Sequence, residues 1–428
     1  MGPAVYLSTI DRKPERGPLR IGFTRVGGTV VALGSVSLLT DVSAEMVTAV
    51  LPLYFVLVLH LSPAAYGVVD GLYSGATVPL RLVGGFLADR LRRRKAVAAT
   101  GYGLSAVAKL GLIGAGTSVT GLGAVIVADR AGKGLRTAPR DALITESTPE
   151  PLLGRAFGIH RAMDSAGAFA GPLVALGILT LVGTTSQAAF HSLFLTSFWI
   201  AVAGVLALVV FTRESVRPRD VKPGRALEVT PRAAAGLLRD RSLRRLLYAA
   251  GLLGLSTVGD GFVYLILMRR QDFAAGWFPL FAVGTNLAYL LLAGPLGALA
   301  DRVGRKAMLL TGYGLLAAVY LLLITPFRGL PAACVILGLY GTFYAATDGV
   351  LMALAGPVLP RHLRTTGLAC VQTVQAVAYL ASSIAFGLAW ANWGVSRAGA
   401  AAAVAVAVTI IVTVVVLPGR AQQPGDAR

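Results

Sequence analysis

The segment Ala128-Asp129-Arg130-Ala131-Gly132-Lys133-Gly134-Leu135-Arg136-Thr137-Ala138-Pro139-Arg140-Asp141 decides how the chain is read. Alone, it resembles a basic surface loop or a degenerate phosphate loop. Its Gly132-Lys133-Gly134 element lacks the G-x-x-x-x-G-K-[ST] spacing with which backbone N–H groups cradle a phosphate. The segment follows the apolar, glycine-rich run Val119–Val127 and precedes Ala142-Leu143-Ile144. Its charges therefore lie in water, on a phosphate or inside a bilayer, and the rest of the chain chooses among the three.

Composition narrows the choice. The 428 residues are 55% hydrophobic and only 14% charged, whereas about a quarter of a soluble domain is charged. A mean hydropathy of +0.71 is too high for a water-facing surface and points to a multi-span helical membrane protein. The formal charge of +19 then reads as cytosolic loops loaded with Lys and Arg, which orient spans, and no nucleic-acid partner is expected. Cys334 and Cys370 each lie in an apolar run, and the four histidines are scattered. That pattern offers no disulfide framework, C-x-x-C site or zinc site, so no metal or cofactor is expected. The polar first 25 residues, with Arg12, Lys13, Arg16, Arg20 and Arg25, contain no cleavable apolar core and read as a cytosolic tail.

A membrane-spanning helix needs about 20 mostly apolar residues. Twelve such stretches are expected, at 26–59, 64–88, 96–115, 121–145, 156–182, 190–211, 246–267, 277–300, 307–325, 332–354, 366–391 and 398–417. The organisation that follows is a cytosolic tail (1–25), a six-helix bundle (26–212), a charged, proline-rich cytosolic linker (213–245), a second six-helix bundle (246–417) and a short tail (418–428). A short amphipathic helix is expected within the linker, around Pro231–Leu238. Lys and Arg crowd Arg90–Lys95, Arg213–Arg245, Arg302–Lys306 and Arg361–Arg364 but nearly avoid the opposite turns. The positive-inside rule then places both termini in the cytosol and the protein in the cell membrane.

Two loops are near copies. Gly85-Phe-Leu-Ala-Asp89-Arg90-Leu-Arg-Arg93-Arg-Lys95 follows the second span, and Gly297-Ala-Leu-Ala-Asp301-Arg302-Val-Gly304-Arg305-Lys306 follows the eighth. Repeats placed equivalently in two halves mark secondary transporters. On these residues the chain resembles the major facilitator superfamily. The second loop matches that family's motif A in full, and the first departs where Arg92 replaces a glycine. Gly167-Ala-Phe-Ala-Gly171-Pro172 is similar to the G-x-x-x-G-P motif on the fifth span of its proton-coupled antiporters. Arg130 with Gly132 and Gly134 is similar to an Arg-Gly stretch on their fourth span. The resemblance covers residues 26–417. It implies an all-α membrane fold of two pseudo-symmetric six-helix bundles, and gating roles for Gly85, Asp89, Arg90, Arg93, Gly297, Asp301, Arg302, Gly304 and Arg305. It also implies that Asp89 latches against the start of the eleventh span near Thr365-Thr366.

Charges at membrane depth cost at least ~2.5 kcal/mol each on insertion scales, so they face a cavity or a partner. Asp41 and Glu45 lie four residues apart, hence on one face of the first span, with Asp41 roughly 22 Å along it. Asp70 and Arg81 lie on the second span, Lys109 on the third, and Asp129, Arg130, Lys133 and Arg136 on the fourth. His160, Arg161 and Asp164 lie on the fifth; the second half offers only Asp260 and Asp348. One reading is a proton and substrate site built from Asp41, Glu45, Asp129, Arg130, Lys133, Arg161, Asp164 and Asp260. The other is a set of static ion pairs, such as Arg161 with Asp164 three residues on. Arg136, Arg140, Asp141 and Arg155 read as gate or surface residues near the cytosolic end. Tyr54, Tyr73, Tyr264, Tyr289, Tyr340, Tyr344 and Tyr379 either line a cavity or simply pack. Gly67, Gly71 and Gly75, like Gly101 and Gly103, read as close helix packing.

The expected function is proton-coupled export of a small polar or amphipathic molecule by alternating access, performed by a monomer with no cofactor. A metal-cation or metal-chelate transporter is one alternative, because Asp41, Glu45, Asp129 and Asp260 are hard oxygen ligands. A proton-coupled importer of a small metabolite is another. An enzyme is not expected, since the chain has neither a phosphate loop nor a soluble domain to carry one.

Overall fold

A computed structural model describes residues 28–77, 80, 93–149, 152–183, 186–212, 240–348, 350–358 and 364–417. Among these the chain is helical, with no strand. In order the helices are α1 (Gly28–Thr48), α2 (Pro63–Gly75), α3 (Arg94–Gly114), α4 (Val119–Ser147), α5 (Leu153–Val182), α6 (Gln187–Phe211), α7 (Arg241–Leu255), α8 (Asp260–Arg270), α9 (Phe278–Val303), α10 (Arg305–Ile324), α11 (Leu330–Thr347), α12 (Val350–Val358), α13 (Arg364–Trp393) and α14 (Val395–Val416). Ten helical stretches among the described residues are long and apolar enough to cross a membrane. The other two expected spans are special cases. The second is described only in part, as α2, and residues 78–79 and 81–92 lie outside the described residues. The fourth, α4, carries too much charge, yet it runs unbroken through Pro139 to Ser147. The architecture is an all-α membrane protein.

Two spans expected as continuous are broken. The seventh is α7 and α8, separated at Ser256–Gly259. Freed backbone groups inside a membrane must find partners, and side chains supply them here. Thr257 Oγ1 and Ser256 Oγ donate to the Leu253 carbonyl at 2.8 and 3.0 Å, and the Val258 N–H donates to Tyr320 Oη at 2.7 Å. The tenth span is likewise α11 and α12, parted at Asp348. The first span ends irregularly too. After Thr48 comes a single turn at Leu51–Leu53 with Pro52, then a π-helical turn at Tyr54–Val58.

Within the first half, α1 packs on α5 and α6, and α3 on α4 and α6; within the second, α9 and α10 pack on α11, and α10 on α14. The halves join through α2 against α13 and through α5 against α9. Gly67 and Gly387 face each other's helix backbone, at Ser383 and Pro63, so neither position has room for a Cβ. Beside this crossing Phe262 meets Tyr66, Phe386 and Trp390, with ring centroids 4.7, 5.0 and 5.7 Å apart. This aromatic plug closes one end of the seam. Lipid-facing positions such as Leu181, Trp199, Val210, Phe211, Leu291 and Val415 remain exposed, as expected for a bundle whose solvent is acyl chain.

The opposite, basic end shows the repeat in three dimensions. Lys95 Nζ donates to the Val209 carbonyl at 2.8 Å, and Lys306 Nζ donates to the Val414 carbonyl at 2.8 Å and to that of Leu417. In each half, then, a lysine at the start of the third helix caps the C-terminus of the sixth, where cations are favoured. Arg94 pairs with Glu146 at the end of α4, and Arg305 donates to the Ala353 carbonyl in α12 at 2.8 Å. Gly304 joins α9 to α10 at φ +106°, a left-handed conformation that favours glycine.

Candidate substrate and coupling site

The opening segment is the middle of α4, and its glycines are a crossing point. A Cβ on Gly132 would lie 2.5 Å from the Gly101 carbonyl oxygen of α3. The Gly-Lys-Gly element is thus a seat for α3 and holds no phosphate-loop turn. Gly103 meets nothing within 4 Å and takes no part in this packing. With α3 this close, the α4 charges meet partners on α3 and α1.

Two clusters result. In the first, Asp129 is held from three directions. Arg130 Nε donates to it at 3.0 Å, with a second, shorter contact from the same guanidinium. Ser105 Oγ donates at 2.6 Å and Lys109 Nζ at 3.4 Å. Arg130 also stacks on Tyr73, 3.8 Å from the ring centroid.

The second cluster lies further along α4. Arg136 pairs with Asp41 at 3.7 Å and lies over the Tyr102 ring. Arg140 pairs with Asp164 at 3.6 Å and Asp141 at 3.1 Å, and donates to Ser37 Oγ at 3.0 Å. Ser37 Oγ also shares a hydrogen bond with His160 Nε2, 2.9 Å away. Two sequence expectations are corrected here. Asp164 pairs with Arg140 of α4, while Arg161 is exposed. Arg136 is neither gate nor surface; it is 5% exposed and holds Asp41.

Between the clusters stand Glu45 and Lys133. Glu45 is buried, and its Oε2 has no hydrogen-bond partner among the described residues. Lys133 of α4 lies near it. The placement of α1 explains this exposure to α4. A Cβ on Gly167 would come 2.5 Å from the Leu38 carbonyl oxygen, and one on Gly171 2.7 Å from the Met46 nitrogen. The Gly167–Gly171–Pro172 motif therefore presses α1, with Asp41 and Glu45, into the core of its half.

The seam between the halves holds a central cavity. Asp70 and Asp260 face it from opposite halves, among Tyr66, Tyr73, Tyr264 and Tyr379. Asp70 accepts from Tyr66 Oη at 3.1 Å and from Ser383 Oγ of the other half at 2.6 Å. Asp260 accepts from Tyr340 Oη at 2.6 Å and from Tyr344 Oη. Asp70 stood outside the candidate site in the sequence reading. Its signal was present: a lone carboxylate on a span, four residues after a tyrosine. A smaller void lies behind, lined by Lys109, Asp129 and Arg130, and shares Thr48, Leu51, Tyr73 and Ile126 with the central cavity. Tyr73, bonded to Thr48, is the partition.

Of the expected gating residues, Gly85, Asp89 and Arg90 lie outside the described residues, as do the linker helix and Arg81. Arg93 is exposed, and Arg94 holds the position equivalent to Arg305. The first loop thus carries one more residue than the second. Asp301 pairs with Arg305 at 3.3 Å, Arg302 is exposed and a Cβ on Gly297 would meet nothing.

Comparison with known proteins agrees with this architecture. The family model described as Major Facilitator Superfamily matches residues 33–286 and 271–428. An uncharacterized MFS-type transporter of Methanocaldococcus jannaschii is 32% identical over 374 residues, spanning 84% of this chain and 88% of that protein. Crystal structures of the nucleoside transporter NupG (TM-score 0.73, 14% identity, 92% of this chain and 100% of that one) and of a D-xylose–proton symporter (0.67, 13%, 91% and 98%) share the fold. The chain belongs to the major facilitator superfamily, as a multi-pass membrane transporter and not an enzyme.

Proposed function

We propose that the chain couples proton movement to the export of a small polar or amphipathic molecule, by alternating access of its two halves to the central cavity. The observation that supports coupling is Glu45. A buried carboxyl oxygen without a partner is costly in a membrane interior. Either a proton or an approach of Lys133 removes that cost, and alternation between the two is a coupling step. Asp41, in contact with Arg136 and close to Asp164, extends the path toward the basic end. Export is favoured by the Gly167–Pro172 seat, which resembles that of proton-coupled antiporters and here positions both carboxylates of α1.

The test is flux in proteoliposomes, with a substrate identified by screening overexpressing cells for altered susceptibility to small molecules. Flux is expected to follow an imposed pH gradient, in the sense of exchange against protons. Unchanged flux after a protonophore collapses the gradient would remove the coupling. Flux in the same sense as the protons would make the protein an importer. Glu45→Gln and Asp41→Asn are expected to abolish gradient-driven flux while preserving exchange of labelled for unlabelled substrate. A metal cargo is less well supported, because no group of three or more His, Cys, Asp or Glu gathers among the described residues. Asp129 is enclosed by cations and Asp260 by tyrosines.

A further inference from the structure

We infer that the rim of the second half opposite the basic loops, where α8 ends beside the α10–α11 and α13–α14 turns, docks the headgroup of an anionic phospholipid.

Arginine gathers at this rim against the expected sign. Positive charge concentrates on the other side of a membrane protein, yet Arg269, Arg270, Arg328 and Arg397 all belong to these segments. Across 269–277, 325–329 and 394–397 the acidic residue is Asp272 alone. The rim therefore carries a formal excess of positive charge.

Hydrogen bonds hold the three segments together. Arg270 donates to the Leu323 carbonyl at 3.1 Å and to Ser396 Oγ at 3.4 Å, which ties the end of α8 to the end of α10 and the start of α14. The next residue, Gln271, donates to the Phe327 carbonyl at 3.1 Å and accepts from the Gly329 N–H at 2.6 Å. Arg328 thus sits between two anchored residues, and Arg397 follows the serine that Arg270 holds. Both are exposed, and neither forms an ion pair or hydrogen bond with a described residue. Arg269 is exposed as well and lies over the Trp390 ring, 5.7 Å from its centroid.

The surroundings favour a lipid over a soluble anion. Trp277, Phe327 and Trp393 are exposed near the arginines, and Leu321 is exposed in the last turn of α10. Aromatic side chains of this kind sit at the level of the headgroups. A guanidinium there can grip a phosphate through paired N–H donors, while the acyl chains below cover the apolar residues. The excess positive charge selects a headgroup with net negative charge over a zwitterionic one.

The test uses tryptophan as the reporter. The chain has four tryptophans, and Trp199→Phe leaves Trp277, Trp390 and Trp393, all beside this rim. The full-length protein with that change is placed in phosphatidylcholine nanodiscs. An equal minor share of either phosphatidylglycerol or phosphatidylcholine, brominated high on its acyl chains, is added as quencher. Brominated phosphatidylglycerol is expected to quench at least twofold more. Arg328→Gln/Arg397→Gln is expected to reduce its quenching to the phosphatidylcholine level. Arg328→Lys/Arg397→Lys, which keeps the charge and loses the fork, is expected to retain part of the preference. Quenching by brominated phosphatidylcholine, unchanged across the variants, reports that each is folded and inserted. Equal quenching by the two lipids, or a preference that survives the paired glutamines, would overturn the inference. Loss of the preference on adding inorganic phosphate at constant ionic strength would overturn it too, by assigning the rim to a soluble anion.

Discussion

At the scale of residues, the pairing of Asp41 with Arg136 carries the most direct consequence. Removing one member of a buried ion pair leaves an uncompensated charge and costs about 3–5 kcal/mol, whereas replacing both is far milder. Arg136→Leu is therefore expected to lower the thermal midpoint more than the double variant Asp41→Asn/Arg136→Leu, measured on the purified protein in one detergent. A double variant that is worse than the single would mean that the two side chains are independent. Spacing along the sequence identified which residues sit on one face of their own helix. It had no access to which neighbour faces them. Arg161 and Asp164, three apart, looked like a pair; the rotation of α5 instead turns Asp164 toward Arg140 and leaves Arg161 exposed. Arg136 was expected at the gate or surface near the cytosolic end, but α4 turns it inward, where it is buried and reaches Asp41. The partnering of Asp70 with Ser383, 313 residues away, lies beyond any local pattern.

At the scale of elements, the break between α7 and α8 is a built irregularity, because side chains meet the Leu253 carbonyl and the Val258 N–H. Tyr320→Phe removes the acceptor for the Val258 N–H. Leaving that donor buried and unmet costs about 1–3 kcal/mol, so the variant is expected to unfold several degrees earlier; an unchanged midpoint would show that another group takes up the bond. The helix seat on α5 gives a second expectation. Gly167→Val drives a branched side chain into the α1 backbone, an overpacking worth about 1–3 kcal/mol or more, and it displaces Asp41 and Glu45 together. It is expected to lose gradient-driven flux, whereas Gly177→Val, where a Cβ would meet nothing within 4 Å, retains it. Helix existence was legible throughout from apolar runs of sufficient length. Interruptions were not, since Ser256–Gly259 contains no proline and the partner of the Val258 N–H comes from α10. The repeated basic loop was legible as a motif. Its extra residue, which shifts the Arg305-like role to Arg94, appears only when the contacts of the two loops are laid side by side.

At the scale of the whole molecule, the α2–α13 crossing and the aromatic plug hold one end of the seam shut. The glycines at this crossing permit backbone contact, so bulk there must hold the halves apart. In a background of Cys334→Ser and Cys370→Ser, a single reporter at Ser383 (Ser383→Cys) is expected to react slowly with a membrane-impermeant thiol reagent. Adding Gly387→Val is expected to raise that rate at least tenfold; equal rates would mean that the crossing does not govern access. The charged network of the first half has a further, electrical consequence. Lys109, Arg130, Lys133, Arg136 and Arg140 are matched at formal charge by Asp41, Glu45, Asp129, Asp141 and Asp164. One proton loaded onto Asp41 or Glu45 therefore adds one positive charge to this network, and under the proposed alternating access that charge travels with the first half. A unit charge crossing the full membrane field exchanges about 2.3 kcal/mol per 100 mV, so even a partial excursion makes the loaded and unloaded strokes respond differently to voltage. With a potassium–valinomycin clamp and no pH gradient, the flux is expected to change with the sign of the potential, and to lose that asymmetry in Glu45→Gln if Glu45 is where the travelling charge sits.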